Sequence, residues 1–274
     1  MTLAWSAISA QMMTIAGRQL EYMCHGPGPD AAPTIILLHE GLGCIAMWRD
    51  FPAQLAAATG FGVFAYSRAG YGQSDPVALP RPLDYMTREA NDILPAILDG
   101  IGFRRGIVLG HSDGASIAAI YAGSHEDHRV RGLVLMAPHF FTEASGLAAI
   151  AEARSAYQAG DLKVRLSRYH RHPDNAFYGW NDAWLDPAFR QWNIADVIDY
   201  LRIPVLAVQG RDDQYGTYEQ IREVESRSYA PVDVEILEAC AHAPHIDQPA
   251  RTLALISEFT LRLERIEAAE VITA

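Results

Sequence analysis

Ser112 stands in the middle of GHSDG (residues 110–114), between the apolar run IVL and the small, helically spaced residues ASIAAIYA. Small neighbours on both sides permit a sharp strand-to-helix turn that projects a serine hydroxyl. A hydroxyl is a poor nucleophile at neutral pH. It needs a base to take its proton and an acid to orient that base. Both types recur downstream. GRDD (210–213) follows the run VLAVQ and offers Asp212 and Asp213, and AHAPHIDQP (241–249) follows VEIL and offers His242 and His245. The chain order is therefore Ser, Asp, His.

These residues need a scaffold that brings distant strand ends together. TIILLH (34–39), FGVFAYSR (61–68), GIVLGH (106–111), GLVLMAPHF (132–140) and PVLAVQG (204–210) are short and almost continuously apolar. That pattern suits strands covered on both faces of a parallel sheet. FPAQLAAATG (51–60) and TREANDILPAILDGIG (87–102) read as helices ended by glycine, and Leu253, Ile256, Phe259, Leu263 and Ile266 mark a helix with one face on a core. The alternation predicts an α/β fold with a mostly parallel, doubly wound sheet, whose ligands bind beyond the carboxyl ends of the strands. MMTIAGRQLEYMCHG (12–26) alternates weakly and is expected to be an antiparallel hairpin at the sheet edge. Residues 142–200 hold no convincing buried strand but many aromatic residues, and are expected to form an inserted helical cap. The core would then consist of residues 1–141 and 201–274.

Half of the 274 residues are hydrophobic and the formal net charge is −11, which argues against a nucleic acid or anionic membrane partner. No apolar run approaches the roughly 20 residues of a membrane span. The start, MTLAWSAISAQMMT, lacks a basic region followed by an apolar stretch, so no signal peptide is expected. Cys24, Cys44 and Cys240 have no metal-like spacing and are odd in number, so reduced thiols and a cytoplasmic setting are expected.

Four segments in order, HEGLG (39–43), SRAGYGQSD (67–75), GHSDG (110–114) and the pair GRDD with AHAPHIDQP, resemble the α/β-hydrolase superfamily. The likeness covers nearly the whole chain. It implies Ser112 as nucleophile, His242 as general base and Asp213 as the acid, with His245 and Asp212 as the alternatives. It also implies an oxyanion hole made by the backbone N–H groups of Asp113 and Gly41, with Leu42 the alternative to Gly41. Glu40 departs from the superfamily's His-Gly-x-x-Gly. Its side chain is expected to turn away and anchor the loop, through backbone N–H groups or Arg68. The other arrangement has it facing the pocket. SRAGYGQSD is read as a supporting turn, and Asp113 as an N-terminal cap of its helix.

Glu40, His139, Phe140, Trp180 and Trp184 are the candidate pocket residues. His170 and His172 near Asp174 fix no metal geometry and are read as a solvated surface, and Cys44 and Cys240 as inert thiols. The resulting expectation is a cofactor-independent and metal-free serine hydrolase acting on a small-molecule carboxylic ester, thioester or lactone. Carbon–carbon bond hydrolysis and cofactor-free perhydrolysis on the same triad are the alternatives. A non-catalytic binding protein on this fold is the reading from another class. A homodimer is the assembly it could form.

Overall fold

The computed structural model describes Trp5 and residues 9–273, with side chains up to residue 269. Residues 1–4 and 6–8, part of the segment read for a leader, lie outside the described residues. The strands are β1 (Gln11–Ile15), β2 (Arg18–His25), β3 (Thr34–Leu38), β4 (Gly62–Tyr66), β5 (Gly106–His111), β6 (Val130–Met136), β7 (Val205–Gly210) and β8 (Val232–Leu237). They pair in the order β1-β2-β4-β3-β5-β6-β7-β8. The first two form the expected edge hairpin. Its turn residues Ala16 and Gly17 both have positive φ, 48° and 76°, which matches the twist of a two-residue hairpin. β2 is also antiparallel to β4, and every pairing from β4 to β8 is parallel.

The helices are α1 (Phe51–Thr59), α2 (Tyr85–Arg88), α3 (Leu94–Gly100), α4 (Asp113–Ser124), α5 (Ala144–Ala159), α6 (Asp161–Leu166), α7 (Pro173–Leu185), α8 (Glu219–Arg227), α9 (Pro244–Asp247) and α10 (Pro249–Thr273). Alternation along the strands sorts the core into two layers. Ile36, Leu38, Val108, Leu133 and Leu135 face α2, α3 and α4, whereas Ile35, Leu37, Ile107, Leu109, Val134 and Met136 face α1 and α10. Double burial is thus the cause of the continuous apolar runs. In α10, Ile256, Phe259 and Leu263 are buried, but Ile266 is about half exposed, so the apolar stripe ends one turn early.

One expected helix carries a bulge: the chain is helical from Tyr85 to Gly100. Within residues 87–102 a π-helical turn, Glu89–Ile93, separates α2 from α3. Pro95, at the start of α3, has no N–H to donate to the turn before it. Between β6 and β7 the chain holds α5, α6, α7 and two 3₁₀ turns, Pro187–Gln191 and Ala195–Tyr200, with one isolated antiparallel bridge from Phe141 to Asn193. The last turn lies against α4, where a side chain at Gly123 would meet Val197. Among the described residues no helix is long and apolar enough to cross a membrane.

Candidate active site

Ser112 separates β5 from α4 with φ 55°, a strained value for a residue with a Cβ. The turn is possible because its flanks are bare. A Cβ at Gly110 would overlap the Gly114 backbone, and one at Gly114 would overlap the Leu38 carbonyl of the neighbouring strand. Asp113 is the first residue of α4, so its N–H is one of those that the helix itself cannot use, at the positive end of the helix dipole.

The loop after β8 brings His242 to the loop after β7. His242 Nδ1 lies 2.9 and 2.8 Å from the two carboxylate oxygens of Asp213. That carboxylate also accepts from Gln209 Nε2 at 2.8 Å and from the Tyr215 N–H at 2.8 Å. Burial opposes its charge. The hydrogen bond and charge of His242, with the Tyr215 N–H, outweigh burial and hold the Asp213 carboxyl below its ordinary value. Asp212 is exposed. His245 is buried against Trp48, Phe51 and His111, with ring centroids 4.8, 5.7 and 5.2 Å away, and burial pushes it down to about 3. The geometry therefore joins Asp213, not Asp212, to His242, not His245.

The loop after β3 is held by its carbonyls. His39 Nδ1 donates to the Glu40 carbonyl at 2.7 Å, and its Nε2 accepts the Arg68 N–H at 3.0 Å. The Arg68 guanidinium donates to the carbonyls of His39 and Glu40. In a trans peptide C=O and N–H point in opposite directions. With the Glu40 carbonyl turned to His39 and Arg68, the Gly41 N–H is aimed away from both of them. A cavity of about 110 Å³ is lined by Glu40, Gly41, Leu42, Ser112, Asp113, His139, Ile150, Trp180, Trp184, Tyr215 and His242.

Residues 33–179 match the family model for the alpha/beta hydrolase fold, which is more than half of the chain. The chain belongs to the α/β-hydrolase family. It is similar to a bifunctional esterase/perhydrolase of Acinetobacter calcoaceticus, 26% identical over 223 residues that cover 70% of this chain and 78% of the relative. A mouse (Mus musculus) serine hydrolase is 27% identical over 222 residues, covering 76% of this chain and 72% of the relative. The solved enol-lactonase of Burkholderia xenovorans LB400 has the same fold, with a TM-score of 0.70 at 18% identity over 91% of this chain and 99% of that one.

In this α/β hydrolase several expected side chains take other positions. Phe140 is fully buried in the core and does not line the cavity. Its neighbour His139 does, packed on Trp184 at 5.2 Å, and burial with the charge of His242 pushes His139 down to about 3. The Asp113 carboxylate makes no cap. It accepts the Tyr85 hydroxyl, which in turn accepts Trp184 Nε1 at 3.1 Å. Glu40 is not anchored by Arg68 through its side chain, because Arg68 is spent on backbone carbonyls. Glu40 is one of the cavity-lining residues, and its carboxylate, folded back over Gly43, faces His111 Nδ1 at 3.5 Å.

His170 is a further correction. It is buried, not solvated, with Nδ1 accepting the Gly72 N–H at 2.9 Å and Nε2 donating to the Leu42 carbonyl at 2.9 Å. It thereby ties the SRAGYGQSD turn to the loop after β3. Tyr85, Ile150 and Tyr215 carried no local sequence signal, since each acquires its place only when remote elements pack. The three cysteines are buried and free, and burial raises Cys24 and Cys44 to about 12 and Cys240 to about 11.

Proposed function

We propose that the protein is a serine hydrolase that cleaves a small carboxylic ester, or a related thioester or lactone, through an acyl-enzyme. The observation that carries this reading is the His242–Asp213 hydrogen bond in one cavity with a serine on a strained strand-to-helix turn. Ser112 attacks the carbonyl as His242 takes its proton; His242 then returns that proton to the alcohol or thiol as its bond to the carbonyl carbon breaks, which leaves the acyl group on Ser112. Asp213 fixes the His242 tautomer and stabilises the imidazolium, and the N–H groups of Gly41 and Asp113 receive the oxyanion. Water activated by His242 then releases the acid. Residues 142–200 act as a cap, because α5 and α7 supply Ile150, Trp180 and Trp184 to the cavity wall. The free thiols support a reducing, cytoplasmic setting.

The cavity, at about 110 Å³, is far smaller than the roughly 300 Å³ at which drug-sized pockets begin. With Leu42, Ile150 and two indoles around it, it suits a short acyl chain. A p-nitrophenyl ester series from acetate to decanoate tests this, with highest kcat/KM expected at two to four carbons, as a guide of about that length. A fluorophosphonate probe must also label Ser112 and lose its adduct in Ser112→Ala. A protein that neither labels nor turns over any ester is a binding protein instead. The Acinetobacter relative supports a second outcome, in which hydrogen peroxide replaces water in deacylation and a peracid leaves; peracid formation from the same acyl donor measures it.

A further inference from the structure

His111 is buried between two acceptors. Its Nε2 lies 2.7 Å from the backbone carbonyl of His242, and a carbonyl can only accept, so Nε2 carries a proton. Its Nδ1 lies 3.5 Å from Glu40 Oε2 and has no hydrogen-bond partner among the described residues. A neutral ring protonated on Nε2 would aim the Nδ1 lone pair at a carboxylate. The stable alternative places a second proton in the gap. Glu40 also sits beside the cavity where negative charge would develop, so an unneutralised carboxylate there would oppose the reaction.

We propose that Glu40 and His111 hold one extra proton as a buried carboxylate–imidazolium pair, and that this pair is a positioning device that joins the loop carrying Gly41 to the loop carrying His242. The proton comes from solvent and stays on His111 at neutral pH. Both bonds of His111 are then charge-assisted, one toward each loop, and the pair presents no net charge to the oxyanion. The catalytic consequence rests on the hydrolase reading above; the proton itself does not.

The surroundings agree. The other ionisable groups near the pair are His39 and Cys44 on the same loop, Arg49 before α1, Arg68 after β4, His139 and Asp213 after β6 and β7, His170 from the helical segment, and His242 and His245 after β8. Burial pushes His39, His139, His170 and His245 down. His111 moves up instead: burial works against its charge, but Glu40 and the His242 carbonyl outweigh it. Glu40 moves down in step, the hydrogen bond and charge of His111 outweighing its own burial. A raised histidine stabilises the fold fully below its unfolded value and loses that contribution as pH rises through its folded value.

The test is NMR of protein labelled with ¹³C,¹⁵N-histidine, assigned with His111→Gln, and titrated without substrate. Both ring nitrogens of His111 are expected to carry protons at pH 7. In Glu40→Gln the amide can donate to Nδ1 of a neutral ring, so the join survives while the ionisation does not. The His111 midpoint should fall by about one pH unit or more in that variant. The alkaline loss of kcat expected in the wild type, as His111 deprotonates, should vanish with it. A neutral His111 ring at pH 7, with Glu40 in either protonation state, overturns the proposal. So does a midpoint unchanged in Glu40→Gln. If that variant does not fold, the wild-type spectrum alone decides. A protein without esterase activity but with a protonated His111 refutes the hydrolase reading and leaves the pair standing.

Discussion

Arg68 holds His39 at two points: its backbone N–H donates to the imidazole at 3.0 Å, and its buried guanidinium donates to the His39 carbonyl. The same guanidinium reaches the Glu40 carbonyl at 3.0 Å. One side chain therefore sets the direction of the peptide that ends in the Gly41 N–H.

Arg68→Lys should lower kcat for an activated ester by about tenfold or more while changing KM little. A lysine gathers its donors on one atom and lacks the rigid fork with which Arg68 gives each carbonyl its own nitrogen. The carbonyl left unpaired costs on the order of 1–3 kcal/mol, so the melting temperature should drop as well. Unchanged kcat in a folded Arg68→Lys protein would separate the guanidinium from the oxyanion loop.

Asp213→Asn should cost about 10⁴-fold in kcat, because the base loses the group that sets its tautomer. Asp212→Asn should stay within about threefold of wild type, as expected of a surface change away from the site. Parallel kinetics on the two variants reads the difference directly.

Phe140→Ala and Ile150→Ala should part company. Phe140 is fully buried in the core, so its loss should cost roughly 3–5 kcal/mol of stability and leave acyl-chain preference unaltered. Ile150 lines the cavity, and its truncation should move the preferred ester to a longer acyl chain. Urea unfolding and the ester series together check both.

Acid should destabilise the protein well above the carboxylate range. His139 and His245 are held down at about 3 in the fold, against about 6.5 in an unfolded chain. Between those values the unfolded state binds more protons, so stability present above pH 6.5 is lost as pH falls, by up to about 1.4 kcal/mol per pH unit for each histidine. Asp213, held below its ordinary value, adds to the loss near and below pH 4, roughly where a free carboxyl titrates. His245→Phe, which also removes a buried Nδ1 without a partner, should flatten the melting-temperature profile between pH 7 and 5. A profile as steep as wild type would mean that His245 is not the group being titrated.

Much of this was legible in the chain, for physical reasons that can be named. β3, β5 and β7 are covered on both faces, so their apolar runs are continuous, and GHSDG keeps two glycines because backbone crowds both positions. Other features depend on a second, remote segment. His139 and Phe140 are adjacent apolar-looking residues after one strand, and only the packing of α7 and the core sends one to the cavity and the other away from it. The sequence offers backbone N–H groups or Arg68 as an anchor for Glu40, whereas the group it faces, His111, belongs to a different strand–helix unit. Tyr85 meets Asp113 only when α2 packs on α4, which a local reading of either segment does not show. His170 looked solvated from its polar neighbours, and its burial follows from the turn of SRAGYGQSD folding against it.

The strand order also carries a temporal consequence. Ser112 belongs to the middle of the sheet, while Asp213 and His242 follow β7 and β8, the last strands to be synthesised and the ones that close its far edge. Domains emerge from the ribosome N-terminus first. Through most of synthesis, then, a nascent chain carries Ser112 with neither Asp213 nor His242. Under the hydrolase reading proposed above, the three side chains come together only once the far edge of the sheet is complete.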